Sequence, residues 1–282
     1  MDRRLTPANE HVAHESLRGV VDAPRYTSGT LKQVVGTAFL LDARGGRRDR
    51  QLLTGDAFTV LDGDQSMVFG QSHKDGYVGY LDAWCLAEPQ ELTHRVTRRT
   101  TLLYPEPDFK RPHREILHFN SHVRVLNSDG KWAEVELPET PMTAARRGFL
   151  PAAHLCPKNQ FADDPAALAG QFIDTPYLWA GNAGLGIDCS GLVQAALLAC
   201  GIDCPGDSDL QEASLGTDIP EGEPLQRNDL LFWKGHVAMV VDATRIIHAN
   251  AHHMSVVYED TDAAIDRIKA QGDGPVTARK RL

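Results

Sequence analysis

Residues 175–200, TPYLWAGNAGLGIDCSGLVQAALLAC, decide the fold of the C-terminal part of this chain. A glycine-rich loop leads to Asp188-Cys189-Ser190-Gly191, and in residues 192–200 only Gln194 is polar. This pattern predicts a helix that begins beside Cys189 and is buried on most of its surface. The unpaired N–H groups and the positive dipole at a helix start favour a thiolate, which is the nucleophilic form of cysteine.

Two histidines follow, on a predicted hairpin of two short strands. Residues 235–241 and 245–250 are rich in apolar and β-branched side chains, and Asp242-Ala243-Thr244 separates them. A turn there brings His236 and His248 nearly opposite each other, and their even separation places both on one face. A thiolate needs a base and the base needs an orienting group, so the cysteine and the two histidines fit three catalytic roles. The alternative is a small buried cysteine and two hydrogen-bonded histidines inside a sheet.

The motifs around these residues resemble the NlpC/P60 family of cell-wall cysteine peptidases. The resemblance covers residues 158–282. It is carried by the order and spacing of four motifs, which are Tyr177-Leu178-Trp179-Ala180-Gly181, Asp188-Cys189-Ser190-Gly191-Leu192-Val193, Gly235-His236-Val237-Ala238 and His248-Ala249. The family's usual Trp-Gly-Gly reads Trp179-Ala180-Gly181 here, a departure that removes some backbone freedom.

The resemblance implies a papain-like α+β fold, in which a helix carrying the cysteine packs on an antiparallel sheet carrying the histidines. In that family the matching residues act as nucleophile (Cys189), base (His236) and third polar residue (His248). Tyr177 matches a tyrosine near the nucleophile that helps to orient the substrate or to stabilise the oxyanion.

The chain before the peptidase region consists of short predicted strands between Gly and Asp turns, which is typical of small β-barrels. Two stretches of it resemble bacterial SH3 (SH3b) modules, with Glu88-Pro89-Gln90 as the linker between them. The predicted domains are an N-terminal arm at 1–15, SH3b modules at 16–88 and 92–157, and the peptidase at 158–282. We expect the arm to be weakly ordered and the basic residues 277–282 to fray or to close a sheet edge.

Composition argues against several classes of function. The 282 residues are 42% hydrophobic and 24% charged with a formal net charge of −9, which fits a soluble globular protein and disfavours nucleic acid as a partner. No stretch has the length of a membrane span, and the first residues lack the apolar core of a signal peptide. Five scattered cysteines favour a reducing compartment. We therefore expect a cytoplasmic monomer with no membrane partner and no cofactor.

Two clusters have a spacing that suggests metal ligands. Cys200 and Cys204 lack a second ligand pair nearby, and His252 and His253 follow His248 on a strand and its turn, where three rings would not converge. The sequence therefore predicts no metal site.

The arrangement of two SH3b modules and a peptidase resembles the dipeptidyl-peptidase VI type. Enzymes of this type cut the γ-D-glutamyl–diamino acid bond of murein peptides that begin with a free L-alanine amine. A bound ammonium group needs a carboxylate, and Asp188 beside the nucleophile is the candidate. Its alternative role is a helix cap, and the two roles are compatible.

Further substrate-binding residues are implied by the same resemblance. In such relatives a carboxylate and a tyrosine of the first SH3b module complete the amine pocket, and the best matches are Asp56 and Tyr80, with Tyr77 possible instead. A turn carboxylate and a core aromatic are the alternative interpretation of these positions. Ser190 and Ser208 match polar residues that line the peptide pocket.

The resulting hypothesis is a cysteine endopeptidase that recycles imported murein peptides. Two alternatives stay open: a secreted hydrolase that acts on intact peptidoglycan, and a catalytically inactive protein that binds wall peptides. The complete set of catalytic residue types argues against the inactive protein.

Overall fold

Strands are the main regular secondary structure of the first unit of the chain. The computed structural model describes residues 1–220 and 222–282, and the chain divides into two units, residues 1–160 and 161–282. The second unit begins three residues after the predicted start of the peptidase, because residue 158 still pairs with the first unit through the hydrogen bond from Lys158 N–H to Thr93 O. No helix among the described residues is long and apolar enough to cross a membrane.

The first half of unit 1 holds a parallel pair of two short strands and a seven-stranded antiparallel sheet. The strands are β1 (Ala13–His14), β2 (Tyr26–Thr27), β3 (Thr30–Val34), β4 (Ala38–Leu41), β5 (Arg48–Leu52), β6 (Ala57–Gly63), β7 (Met67–Ser72), β8 (Val78–Asp82) and β9 (Leu86–Ala87). The sheet order is β5-β4-β8-β7-β6-β3-β9. Its inward positions form an apolar core around Leu40, Phe58 and Leu81. Alternation of apolar and polar residues along these strands thus matches a sheet with one buried face.

The second half of unit 1 forms a five-stranded sheet and a separate hairpin. The strands are β10 (His94–Val96), β11 (Thr100–Leu103), β12 (Glu115–His118), β13 (His122–Ser128), β14 (Trp132–Leu137), β15 (Arg146–Pro151) and β16 (Leu155–Pro157). The sheet order is β15-β14-β13-β10-β16, and β11 pairs with β12. A second apolar core, around Leu103, Val135 and Leu150, lies among these strands.

The N-terminal segment is packed, contrary to the expectation of a weakly ordered arm. Val12 and Ala13 are fully buried, and β1 pairs in parallel with β2. Val12 also packs with Leu61 and Phe69, so the apolar pair Val12-Ala13 anchors a segment whose polar composition suggested little burial.

The described part of unit 2 combines α-helices with an antiparallel sheet. Its elements are α1 (Pro165–Ala169), β17 (Asn182–Ala183), β18 (Gly186–Ile187), α2 (Cys189–Ala199), α3 (Ser208–Ser214), β19 (Thr217–Asp218), β20 (Leu230–Trp233), β21 (His236–Val240), β22 (Arg245–Asn250), β23 (Ser255–Asp260), α4 (Thr261–Gln271) and β24 (Ala278–Arg281). The six-stranded sheet has the order β19-β24-β20-β21-β22-β23, and helix α2 packs against β21 and β22. The predicted α+β class is therefore confirmed.

The basic C-terminal strand β24 lies inside this sheet, between β19 and β20, and neither frays nor forms an edge. The guanidinium of Arg281 pairs with the carboxylates of Asp229, at 2.9 Å, and Glu223. These ion pairs compensate the positive charge of a strand whose composition suggested an exposed tail.

Candidate active site

Helix α2 begins at the cysteine, as its sequence predicts. Asp188 is the N-cap residue, and its carboxylate oxygen Oδ1 accepts hydrogen bonds from the Gly191 N–H (2.6 Å) and the Ser190 hydroxyl (3.0 Å). The helix ends at Ala199 with Cys200 as its C-cap, after which Gly201 adopts a positive φ of 75°. All its residues except Leu198 are buried, and Cys189 is only 7% exposed.

Close backbone packing explains the glycine two residues after Cys189. A Cβ on Gly191 would lie 2.3 Å from the Gly181 carbonyl oxygen and 3.1 Å from Asn182 Oδ1. Ala180, where the family usually has glycine, adopts the left-handed conformation with a φ of 63°. Its backbone therefore carries strain that a glycine would avoid.

The predicted hairpin brings the two histidine rings into contact. Strands β21 and β22 pair Met239 with Ile247 and Val240 with Ile246. This register, continued along the hairpin, pairs His248 with Ala238 and sets it diagonal to His236 on the same face, which is the near-opposite placement that the sequence predicted. His236 Nε2 lies 2.9 Å from His248 Nδ1.

The cysteine lies beside the start of the His236 strand. The Val237 N–H hydrogen-bonds to Cys189 and favours its thiolate. Tyr177 lies near enough to Cys189 and Asp188 for their negative charges, after burial, to raise the pKa of its hydroxyl. The structure therefore brings together Tyr177, Asp188, Cys189, His236 and His248, the five residues that the sequence placed at the centre of the site.

Burial of the site acts against the thiolate that the helix start favours. Burial, followed by the charge of Asp188, raises the pKa of Cys189 to about 12, and the backbone N–H groups of Val237, Ser190 and Cys189 only partly oppose this rise. Burial, together with the charges of His248 and Arg267, lowers the pKa of His236 to about 3. Both shifts favour the neutral thiol and the neutral imidazole, because desolvation disfavours the charged form of each group.

A glutamate that the sequence analysis missed extends the histidine pair. Glu259 Oε2 on β23 lies 2.9 Å from His248 Nε2, and the same carboxylate accepts two hydrogen bonds from Arg267 of α4, at 2.8 and 2.7 Å. The signal available in the sequence was a third strand after the hairpin with a carboxylate on it. That signal does not specify register, so it could not single out Glu259.

A pocket of about 600 Å³ opens beside His236. Its walls include Tyr177, Lys234, His236, Asn250, His252 and Arg267. Asp188, Ser190 and Ser208 do not line it. Ser208 is the buried first residue of α3, a helix that is tied to the start of α2 by the hydrogen bond from Gln211 Nε2 to Ser190 O (2.9 Å).

The candidate residues of unit 1 already have partners within that unit. Asp56 is buried, accepts a hydrogen bond from the Leu53 N–H (2.9 Å) and pairs with Lys74 Nζ at 2.7 Å. The Tyr80 hydroxyl lies 3.4 Å from Asn9 Nδ2, whereas Tyr77 is 1% exposed in the core. An amine that binds Asp56 would therefore have to share this carboxylate with Lys74 or displace it.

The histidine, cysteine and carboxylate side chains do not form a metal site in the part of the chain that the structure describes. Within residues 1–220 and 222–282, no three of them come together in a metal-binding arrangement. The five cysteines are free thiols.

Comparison with known proteins places this site in a family. Residues 174–270 match the model of the NlpC/P60 family, and residues 41–83 match a model described as the bacterial dipeptidyl-peptidase Sh3 domain. The chain is 31% identical over 233 residues to the γ-D-glutamyl-L-lysine dipeptidyl-peptidase of Bacillus cereus, covering 74% of this chain and 69% of that protein. It is 33% identical over 134 residues to dipeptidyl-peptidase 6 of Lysinibacillus sphaericus, covering 44% and 46% of the two chains.

Solved structures agree in fold. The crystal structure of an NlpC/P60 family protein from Bacillus cereus matches with a TM-score of 0.75 at 22% identity, over 89% of this chain and 99% of that one. An NlpC/P60 endopeptidase from Photobacterium damselae matches with a TM-score of 0.59 at 15% identity, over 88% and 70%. With the cysteine and histidine at the positions of the family's motifs, this chain belongs to the NlpC/P60 family of cysteine peptidases.

Proposed function

We propose that this protein hydrolyses the γ-D-glutamyl–diamino acid bond of murein peptides that begin with a free L-alanine. The observation that carries the proposal is the arrangement of Cys189, at the start of α2, beside the strand of His236, whose ring contacts His248. The Asp188 carboxylate lies next to the nucleophile. The similarity to a relative named for the γ-D-glutamyl-L-lysine bond, over 69% of its length, supports this bond as the target.

The resting charges define the first chemical step. Neutral His236 takes the proton of the Cys189 thiol as the sulfur attacks the γ-carbonyl carbon, so the unfavourable ion pair forms only as the S–C bond forms. The backbone N–H groups at the start of α2 and the Tyr177 hydroxyl are placed to stabilise the resulting oxyanion. Protonated His236 then gives its proton to the departing amine of the diamino acid, and the C–N bond breaks to leave a thioester.

Water completes the cycle. His236 removes a proton from the water that attacks the thioester, and the proton passes to the cysteine sulfur as the S–C bond breaks. The products are the L-alanyl-γ-D-glutamate dipeptide, with its new carboxylate, and the free diamino acid.

Recognition of the free amine is assigned to Asp188, and Ser190 and Ser208 are assigned to a peptide-binding site separate from the pocket beside His236. The buried Asp188 carboxylate uses one oxygen to cap α2, which fixes its position for a charged partner. Within the first unit, Asp56 and Tyr80 stay the candidates for binding an amine, and Tyr77 is limited by its burial to a packing role.

The architecture and the location of the enzyme belong to the same proposal. The two apolar cores of unit 1, around Leu40 and around Leu103, support two SH3b barrels in this unit. Five free thiols fit a reducing compartment, so we propose a cytoplasmic enzyme that acts on imported peptides as a monomer.

Mass spectrometry of two tripeptides, L-Ala-γ-D-Glu-L-Lys and L-Ala-γ-D-Glu-meso-diaminopimelate, tests the function. The wild type should release the dipeptide, Cys189→Ala should release none, and the matched control Cys200→Ala should retain activity. Turnover by folded Cys189→Ala would refute the mechanism. Equal rates on intact sacculi and on free tripeptide would favour the secreted hydrolase instead.

A further inference from the structure

The catalytic histidine is the first member of a chain of four hydrogen-bonded groups. His236 Nε2 contacts His248 Nδ1 at 2.9 Å, and His248 Nε2 contacts Glu259 Oε2 at 2.9 Å. Arg267 holds both carboxylate oxygens of Glu259, at 2.8 and 2.7 Å. The side chains of His248, Glu259 and Arg267 are 0%, 15% and 18% exposed, so the second histidine is the most deeply buried of these three groups.

The sheet fixes this chain geometrically. Strands β22 and β23 pair Ile246 with Glu259 and His248 with Val257, so Glu259 is the diagonal neighbour of His248 on the same face. Arg267 approaches from α4, the helix that follows β23 directly. Strand β23 and helix α4 therefore both fix the position of the Glu259 carboxylate.

The charge of Glu259 decides which ring nitrogen of each histidine carries the proton. Burial opposes ionisation of Glu259, but the hydrogen bonds from Arg267 and His248 outweigh it and hold its pKa well below the usual value. An ionised carboxylate only accepts hydrogen bonds, so His248 must carry its proton on Nε2. Burial lowers the pKa of His248 despite Glu259, so its ring is neutral and its Nδ1 accepts from His236 Nε2–H.

We propose that Glu259, held by Arg267, is a positioning residue that fixes the tautomers of both histidines and leaves His236 Nδ1 unprotonated to act as the base. This inference rests on the proposed catalytic role of His236. Other charged or titratable groups near this chain include His253, beside His248, and Asp273, beside Arg267, and Lys234 and His252 line the same pocket as His236.

Removal of the acceptor should lower turnover without weakening substrate binding. In Glu259→Leu the His248 ring loses its orienting partner, and kcat should fall by about 10- to 100-fold with KM unchanged. Glu259→Gln keeps an oxygen that accepts from His248 Nε2–H, so its kcat should lie close to wild type. Asp218→Leu is the matched control, because it removes the exposed partner of Lys280 at the opposite edge of the same sheet.

The experiment combines these kinetics with long-range ¹H–¹⁵N NMR of the histidine rings in the full chain. The wild-type spectrum should show neutral His236 and His248, both protonated at Nε2, and Glu259→Leu should lose this pattern while Glu259→Gln keeps it. A wild-type His236 protonated at Nδ1 would overturn the proposal without any variant. So would a folded Glu259→Leu with wild-type tautomers and kcat.

The NMR readout also separates this inference from the proposed function. If the wild type cleaves neither tripeptide, the substrate assignment fails, but the ring spectra and the rate of Cys189 alkylation by iodoacetamide still report on the base. Slower alkylation in Glu259→Leu than in Asp218→Leu would support the positioning role, and equal rates would contradict it.

Discussion

Replacement of Asp188 by asparagine separates the two roles that this residue combines. In the wild type, Oδ1 caps α2 by accepting from the Gly191 N–H at 2.6 Å, and the carboxylate carries the charge assigned to amine recognition. Asparagine caps a helix about as well as aspartate, so the free energy of unfolding should change by less than about 0.5 kcal/mol. Asp188→Ala, the matched comparison, removes the cap and should cost about 1 to 2 kcal/mol.

The loss of charge should appear in catalysis. A hydrogen bond to a charged group contributes about 1.5 to 3 kcal/mol, so kcat/KM for the free-amine tripeptide should fall about 10- to 100-fold in Asp188→Asn. The charge of Asp188 also raises the pKa of Cys189, so thiol alkylation should begin at a lower pH in the variant.

The assay compares kcat/KM for the free and the N-acetylated tripeptide in wild type and Asp188→Asn, with urea unfolding as the stability control. The wild type should prefer the free amine, and the variant should lose most of that preference. An unchanged preference in a stably folded Asp188→Asn would refute the assignment of the amine to this carboxylate.

Three further predictions concern stability. The pKa of His236 is lowered to about 3, so below pH 6.5 the unfolded state binds more protons than the folded state, and the free energy of unfolding decreases as the pH is lowered. Between pH 6.5 and 4.5 the wild type should lose about 1 to 2 kcal/mol more of this free energy than His236→Gln, as measured by urea unfolding. Equal losses in the two proteins would contradict the burial of this ring. Gly191→Ala should lose about 1 to 3 kcal/mol of its free energy of unfolding and most of its activity, because the added Cβ would lie 2.3 Å from the Gly181 carbonyl oxygen. A raised melting temperature would contradict this close approach. Ala180→Gly should leave the free energy of unfolding unchanged or raise it by up to about 1 kcal/mol, because glycine adopts the φ of 63° found at this position without strain. A clear loss of stability would argue against backbone strain at Ala180.

The centre of the site could be predicted from sequence because its signals are local. The Asp188 cap, the apolar run after Cys189 and the glycine at 201 define one helix without knowledge of the rest of the fold. The hairpin carrying His236 and His248 is equally local, since two apolar strands and a short polar turn specify which side chains share a face.

The remaining features depend on contacts between distant parts of the chain. The protonation states of Cys189 and His236 follow from burial, which the helix signal alone did not weigh against the dipole. Glu259 reaches His248 only through the β22–β23 register and an arginine of the next helix. The central place of β24 and the packing of Val12 also require the three-dimensional sheet order and core, which no local pattern specifies.

The measurement that tests the central claim most directly is incubation of the purified protein with L-Ala-γ-D-Glu-meso-diaminopimelate and its N-acetylated form, with products identified by mass spectrometry. We expect release of L-Ala-γ-D-Glu from the free peptide and none from the acetylated one, because acetylation removes the ammonium group that we propose Asp188 to bind. Equal cleavage of both would contradict the amine pocket, and cleavage of neither would contradict the proposed activity.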